Sequence, residues 1–138
     1  AQNKALVARF LDALGTGNVA GAAACFDAQR YYSHAYGGDL ATTWERMKAK
    51  RRAGALGDMA SVSVALVADG DRVVHHSTFR ATHTGDLLGV PATGRQVTFH
   101  SLEIWRVEHD KIVEHWGGLA ETDRFYAQLT ANDPKGHE

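Results

Sequence analysis

Residues 61–82 read SVSVALVADGDRVVHHSTFRAT, and this stretch decides the fold. Its apolar residues alternate with small or polar ones, and this period of two is typical of a β-strand with one face against a core. In the middle, Asp69 and Gly70 are the residue types that a tight hairpin turn prefers. The stretch therefore predicts two antiparallel strands joined by that turn, the second of them over 72–82.

Strand-like patterns continue along the second half of the chain. A loop over 84–95 contains glycine and proline, and it precedes a strand predicted over 97–107. His109 and Asp110 then turn the chain into a last strand over 111–119. A final helical turn is predicted around the apolar residues that follow, which are Phe125, Tyr126 and Leu129.

Before residue 57 the apolar residues recur at helical spacing. The first helix is predicted from Leu6, Val7, Phe10, Leu11 and Leu14. Asn18 can cap a second short helix, which an aromatic-rich extended piece over 28–34 follows. A third helix is predicted over 40–53, with Gly54 at its end. Helices followed by an antiparallel meander indicate an α+β fold, in which the helices cover one face of a curved sheet.

The length of 138 residues fits one domain, 1–138, with a polar tail over 132–138 that we expect to be flexible. Hydrophobic residues make up 44% and charged residues 22%, which excludes a disordered, collagen-like or coiled-coil chain. The formal net charge is −1, so we expect neither nucleic acid nor a membrane as partner. The lone Cys25 cannot form an intramolecular disulfide. We expect a cytoplasmic protein that handles a small molecule.

The chain has eight histidines, the residue type that most often moves protons or binds metal near neutral pH. His75 and His76 are adjacent on a predicted strand and point to opposite faces, so they cannot share one ion. The sequence contains neither a His-x-His nor a His-Glu-x-x-His spacing. We therefore expect no metal site.

Three segments resemble one known family: residues 31–34 (YYSH), 83–94 (HTGDLLGVPATG) and 111–116 (KIVEHW). They resemble the SnoaL-like polyketide cyclases and the related ester cyclases of the nuclear-transport-factor-like superfamily, and the resemblance covers nearly the whole chain. It implies a cone in which three helices pack on a curved, mostly antiparallel sheet, with a deep pocket between them. It also implies homodimers or homotetramers formed through the sheet.

The resemblance implies intramolecular aldol ring closure on an aromatic polyketide ester, with no metal or cofactor. In the family's pattern, an Asp on the last strand carries the proton and a His on the strand before assists it. These positions fall on Gly117 and Glu103 here, and a later Asp of relatives falls near Ala120. The usual proton carrier is therefore missing. Because some relatives are hydroxylases or lack known activity, a cofactor-independent hydroxylase and a non-catalytic binding protein are alternatives to a cyclase.

Two registers are open for the last hairpin. A three-residue turn over 108–110 places Glu103 opposite His115, close enough for a carboxylate–imidazole hydrogen bond. A two-residue turn over 109–110 places Glu103 opposite Trp116 instead and moves His115 to the other face. The family's equivalent positions share one face, which favours the first register.

We expect Glu103 and His115 to be an acid/base pair on an aromatic face, because such surroundings bring the pKa values of both residue types towards neutrality. His115 is the expected base, with Glu103 orienting its imidazole and free space left beside it by Gly117. His34 is expected to polarise a substrate oxygen from across the pocket. The residues expected to contact an apolar or aromatic substrate are Trp105, Phe99, Ser101, Tyr32, His100 and Trp44.

The outer face of the last hairpin would carry Leu102, Ile104, Ile112 and Trp116. Such a face is too apolar to stand free in solvent. We therefore expect a homodimer or a larger homo-oligomer that forms through it.

Overall fold

A computed structural model describes residues 1–131. Its elements are α1 (Gln2–Gly15), α2 (Val19–Ala23), β1 (Tyr32–Ser33), α3 (Leu40–Ala53), β2 (Leu56–Asp69), β3 (Arg72–His83), β4 (Gln96–Glu108), β5 (Lys111–Ala120) and α4 (Thr122–Thr130). The predicted order of helices, hairpin and further strands is confirmed. Among these helices none is long and apolar enough to cross a membrane. The expected flexible tail, 132–138, lies outside the described residues.

The five strands form one open sheet in the order β1-β5-β4-β3-β2. Neighbours from β2 to β5 are antiparallel, whereas β1 runs parallel to β5. The predicted α+β fold with a mostly antiparallel sheet is therefore confirmed. Because β1 joins the sheet beside the last strand, it brings the segment before α3 next to β5.

Two apolar clusters cover one face of the sheet, which we call the inner face. The first cluster joins α1, α2 and α3 to the sheet through Leu6, Val7, Phe10, Phe26, Leu40, Val73, Trp105, Val107 and Ile112. The second packs α4 on the other end of the sheet through Ala81, Val97, Phe125 and Leu129. Side chains alternate along a strand, so the odd-numbered residues of β3 and β4 share this face.

The polar residues of the inner face lie in three rows, the first of which also contains Val73 and Trp105 of the first cluster. Each row consists of residues that stand opposite one another in neighbouring strands. The row nearest α1 contains Val73, Trp105, His115 and Ser33; the next contains His75, Glu103 and Gly117; the third contains Ser77, Ser101 and Leu119. We call this region between the clusters the inner cleft.

The turn between β4 and β5 has two residues. Glu108 pairs with Lys111, and the intervening His109 and Asp110 have φ angles of 51° and 60°. Two positive φ angles are the mark of a type I′ hairpin turn. The prediction of a three-residue turn over 108–110 is therefore wrong.

A β-bulge in β5 then shifts the register. Val107 pairs with Ile112, whereas Trp105 pairs with His115, so β5 contains one extra residue between these pairs. The short turn and the extra residue together keep His115 on the face that the favoured register predicted, diagonal to Glu103 instead of opposite it. The two-residue turn also pairs Ile112 with the inward-facing Val107, so Ile112 is fully buried in the core and its predicted place on the outer face is wrong.

Candidate active site

Glu103 and His115 meet in the inner cleft. His115 Nε2 donates a hydrogen bond to Glu103 Oε1, and Glu103 Oε2 accepts one from Ser101 Oγ at 2.7 Å. On the other side of the imidazole ring, Nδ1 lies 2.8 Å from Ser33 Oγ. The structure therefore brings the predicted pair together and adds a serine to each member.

Ser33 determines which nitrogen of His115 carries the proton. Its buried Oγ accepts a hydrogen bond from the backbone N–H of Tyr36 at 3.0 Å. The hydroxyl proton of Ser33 is then available for Nδ1 of the ring. A neutral His115 consequently carries its own proton on Nε2 and donates it to the Glu103 carboxylate.

The ring of His115 is enclosed on both sides. Trp105 stacks on it with ring centroids 5.5 Å apart, and Tyr36 does so at 6.1 Å. The His115 side chain is 5% exposed, whereas that of Glu103 is 23% exposed. A molecule in the cleft therefore meets the carboxylate and not the imidazole. The imidazole that was expected to act as the base is therefore the more enclosed member of the pair, and the carboxylate that was expected to orient it is the more exposed.

Two tyrosines adjoin Glu103. Burial raises the pKa of Tyr31 to about 12, and the hydroxyls of Thr43 and Ser33 partly offset this effect. Burial and the negative charge of Glu103 raise the pKa of Tyr36. Both phenols therefore keep their protons at neutral pH, where they can donate hydrogen bonds but cannot serve as bases.

His34 and Tyr32 lie on the outer face, and the prediction that His34 faces the cleft is wrong. Ser33 points inwards, so its two neighbours in the chain point outwards. His34 Nε2 lies 2.6 Å from Glu114 Oε2, and its ring stacks on Trp116 with centroids 5.1 Å apart. Tyr32 packs edge-on against His34 and is largely exposed. Neither side chain faces the inner cleft.

The other predicted contact residues on β4 divide between the two faces. Ser101 and Phe99 lie on the inner face, in the rows beyond Glu103. His100 lies on the outer face, where its Nδ1 is 3.0 Å from His76 Nε2. The expected contact of His100 with a substrate of Glu103 is therefore wrong, because adjacent strand residues point to opposite faces.

Trp105 and Trp44 both belong to the apolar core. Trp105 is buried and packs edge-on against Phe10 at 5.6 Å, in addition to its stack on His115. Trp44 packs edge-on against Phe26 at 5.8 Å. Trp105 thus supports the imidazole from the core side, and both tryptophans that were expected to contact a substrate are packed against aromatic residues of the core.

Two cavities of about 210 and 320 Å³ lie away from the Glu103–His115 pair. They share Thr98, Phe99 and His100; the smaller extends towards α4 and the larger towards β2. Neither cavity is lined by Glu103 or His115. The Glu103 side chain, which is 23% exposed, is open to solvent in the inner cleft.

His75 and Ser63 also line the inner cleft, although neither was among the residues expected to act. His75 stands directly opposite Glu103, and its Nε2 lies 2.9 Å from Ser63 Oγ. Burial lowers the pKa of His75, and the charge of Glu103 opposes this effect. The alternation of side chains along β3 indicates which face His75 lies on. Its pairing with Glu103 joins two strands separated by a long loop, so no local sequence pattern predicts it.

A comparison with known families decides which fold family this is. The SnoaL-like polyketide cyclase family matches residues 5–129. The chain belongs to this family. Among curated proteins, no sequence matches it.

Solved structures show the same SnoaL-like fold. AclR from Streptomyces galilaeus, provisionally named a hydroxylase, is 27% identical with a TM-score of 0.71, covering 96% of this chain and 98% of AclR. IdmH from Streptomyces antibioticus, provisionally named a polyketide cyclase, is 23% identical with a TM-score of 0.71, covering 94% and 99% of the two chains. A SnoaL-like protein from a Jannaschia species is 18% identical with a TM-score of 0.72, covering 96% and 94%.

This SnoaL-like chain has no room for an acid/base Asp at Gly117. The φ angle of Gly117 is 117°, and an added Cβ would overlap the carbonyl oxygen of Leu102 and lie 2.9 Å from Glu103 Cα. The prediction that Gly117 leaves free space beside His115 is therefore wrong, because the backbone of β4 occupies that space. The backbone therefore excludes an acid/base side chain from this position.

A metal-ligand set was not expected from the sequence. Within residues 1–131 no three His, Cys, Asp or Glu side chains are grouped so that they could hold a metal ion. The groups in the cleft that can exchange a proton near neutral pH are carboxylate and imidazole. Acid/base chemistry is what these side chains can support by themselves.

Proposed function

We propose that this SnoaL-like protein is an enzyme that moves a proton on the carbon beside a carbonyl group of an apolar, polyketide-type substrate. The step that forms the product is an intramolecular aldol ring closure. The observation that carries the proposal is the state of Glu103, a partly exposed carboxylate with a hydrogen bond on each oxygen. A base held in one orientation at an open site is what proton abstraction from carbon requires.

The reaction begins when Glu103 removes a proton from the carbon beside the carbonyl. The resulting enolate carbon attacks a second carbonyl carbon of the same molecule and forms the new C–C bond. The alkoxide oxygen then takes the proton back from Glu103, so no atom is gained or lost. His115 and Ser101 hold the carboxylate through their hydrogen bonds to its two oxygens. Positioned proton transfer contributes about 10²–10⁴-fold in rate.

Hydroxylation is a second candidate, and the likeness to AclR favours it. The first step is the same proton abstraction by Glu103. The enolate carbon then bonds to dioxygen, and proton uptake yields a hydroperoxide. An external reductant such as a thiol supplies the two electrons and two protons that convert the hydroperoxide to the hydroxyl product and water. Oxygen uptake in step with product formation supports this reaction, whereas ring closure consumes none.

The shared first step can be tested with anthrone, an apolar aromatic ketone with an acidic methylene group. We expect the protein to accelerate exchange of the methylene protons in D₂O under nitrogen. Glu103→Gln should reduce this acceleration by at least about tenfold, because the amide cannot take the proton. Glu45→Gln alters an exposed glutamate of α3 and is the matched control, with an unchanged rate expected.

Two histidine variants test the assigned geometry in the same assay. His115→Phe keeps an aromatic ring between Trp105 and Tyr36 but removes the hydrogen bond to Glu103, so exchange should slow by at least about tenfold. His34→Ala alters the outer face and should retain the rate. Anthrone that binds without any accelerated exchange would support the non-catalytic alternative. Equal rates for Glu103→Gln and the unaltered protein would contradict the role of Glu103.

A further inference from the structure

His75 is the second titratable side chain of the inner cleft, and the mechanism above does not use it. In the β3–β4 ladder His75 pairs directly with Glu103. Side chains opposite each other in an antiparallel pair lie on the same face, with Cβ atoms about 5 Å apart. One substrate group can therefore contact both the Glu103 carboxylate and the His75 ring.

The structure fixes the His75 ring from two sides. Its Nε2 lies 2.9 Å from Ser63 Oγ of β2, and its ring lies over Trp105 with centroids 6.4 Å apart and planes tilted by 32°. A register shift between Ser63 and Ala65 marks a β-bulge in β2 beside this contact. Bulges often re-aim side chains next to active sites. The Nδ1 atom has no hydrogen-bond partner within residues 1–131.

The ionisation of His75 suits a hydrogen-bond donor of no net charge. Burial lowers its pKa, the charge of Glu103 raises it, and the neighbouring His76 lowers it, with burial the largest effect. The ring is therefore neutral at neutral pH. When the Ser63 hydroxyl donates to Nε2, the ring proton is on Nδ1, the nitrogen without a partner.

Proton abstraction by Glu103 creates negative charge on the neighbouring carbonyl oxygen. A donor aimed at this oxygen stabilises the enolate, and removal of one such donor typically reduces the rate by about 10²–10³-fold. Glu103 cannot supply this donor, because its carboxylate takes the proton. His115 cannot supply it either, because its ring is enclosed.

We propose that His75 is the oxyanion donor of this site, with Nδ1–H donating to the carbonyl oxygen of a ketone whose adjacent carbon faces Glu103. This role rests on the proposed function. Ser63 is a positioning residue that holds the donor tautomer. The site therefore selects substrates that present a ketone oxygen towards β3 and an acidic C–H bond towards β4.

The test measures binding and exchange separately. A naphthol mimics the enolate oxygen, and its binding can be followed by fluorescence without any turnover. His75→Ala should weaken naphthol binding by about tenfold and slow anthrone exchange by about 10²-fold, chiefly in kcat. His75→Asn retains a side-chain N–H near the position of Nδ1, so it should restore part of the naphthol binding and part of the exchange rate. Ser63→Ala should lower exchange less than His75→Ala does.

His34→Ala is the matched control, because His34 is a histidine on the outer face, against Glu114 and Trp116, and is not among the groups that act on His75. It should leave naphthol binding and exchange unchanged. If His75→Ala binds naphthol and exchanges anthrone protons as the unaltered protein does, the role of His75 is overturned. A failure of naphthol to bind the unaltered protein would overturn it too. If Glu103→Gln retains exchange while His75→Ala weakens naphthol binding, the proposed function fails and the oxyanion site stands. A urea unfolding midpoint for each variant shows whether it is folded.

Discussion

At the scale of single residues, Gly117 and Gly118 show how the backbone restricts this site. Both have φ angles that side chains rarely adopt, 117° and 134°. An added Cβ would overlap the β4 backbone at Gly117, whereas at Gly118 it would meet nothing within 4 Å. The close approach of two strands at Gly117 therefore excludes a side chain where the family's pattern has its Asp.

Substitution at these two glycines separates steric overlap from backbone strain. Strain of this kind costs about 1–3 kcal/mol, and we expect it for both Gly117→Ala and Gly118→Ala. Gly117→Ala should lower the free energy of unfolding further, because strand β5 must also move away from Leu102. Urea denaturation measures both losses, and equal losses would contradict the close approach.

At the scale of elements, α3 has the clearest local determinants. It begins after Asp39, whose Oδ1 accepts a hydrogen bond from the backbone N–H of Thr42 at 2.9 Å, and it ends at Gly54, which has a φ of 64°. These are the residue types that helix ends prefer, so α3 has the predicted bounds. The backbone and side-chain hydrogen bonds from Thr42 lower the pKa of Asp39.

The lowered pKa of Asp39 predicts a pH dependence of stability with a definite sign. A carboxyl group whose pKa is lower in the folded state stabilises the fold above its unfolded pKa, and this contribution disappears as the pH falls through the folded value. The stability difference between the unaltered protein and Asp39→Asn should therefore be constant at neutral pH and change in acid, below about pH 4. Thermal unfolding from pH 7 to pH 2 measures it.

Asp12→Asn is the control for this pH series, because Asp12 is exposed within α1, away from the first turn. It should change stability little over the whole pH range. A difference between the unaltered protein and Asp39→Asn that does not vary with pH would contradict the role of the ionised cap.

The hairpin of β4 and β5 depends on more than its turn residues. The two-residue turn by itself would place His115 on the outer face. The bulge in β5 reverses this, so that His115 faces inwards and Glu114 faces outwards, where it binds Arg106 at 2.8 Å. One extra residue in a strand thus decides which side chains enter the cleft.

At the scale of the whole molecule, the site lies where the two apolar clusters leave a gap. The helices α1 to α3 cover one end of the inner face and α4 covers the other. The polar rows around Glu103 lie between them, so the carboxylate is partly exposed while the imidazole of His115 stacks on Trp105 of the first cluster. Rigid support behind an exposed reactive group is what proton transfer needs.

The outer face of the sheet leads to a prediction about assembly. Leu102 of β4 is 43% exposed there, and the exposed Val62 and Val67 of β2 lie two strands away on the same face. We propose that two copies associate through this face, because a broad exposed apolar surface is unfavourable in water. Sedimentation should show a dimer or larger species at micromolar concentration, and Leu102→Asp should produce a 15.0 kDa monomer.

Val19→Asp is the control for assembly, because Val19 is an exposed apolar residue of α2, away from the sheet. It should leave the assembly unchanged. A monomer for the unaltered protein would contradict association through the outer face.

The sequence by itself determined what depends on neighbours in the chain. Helical spacing and strand alternation predicted the elements and their order, and cap residues such as Asp39 and Gly54 set the bounds of α3. The shared face of Glu103 and His115 was also predicted, with help from the family resemblance, although through the wrong turn. These features follow from local geometry, which residue spacing encodes directly.

Only the tertiary structure decided the burial and the contacts of the residues in the candidate site. The burial of His115, the closure of the space at Gly117 and the pairing of His75 with Glu103 all depend on contacts between segments far apart in the chain. Such contacts are set by strand register, by a bulge and by the packing of helices on the sheet, none of which has a fixed spacing in sequence. The sequence could therefore predict that a carboxylate and an imidazole meet, but not which of them is the more exposed.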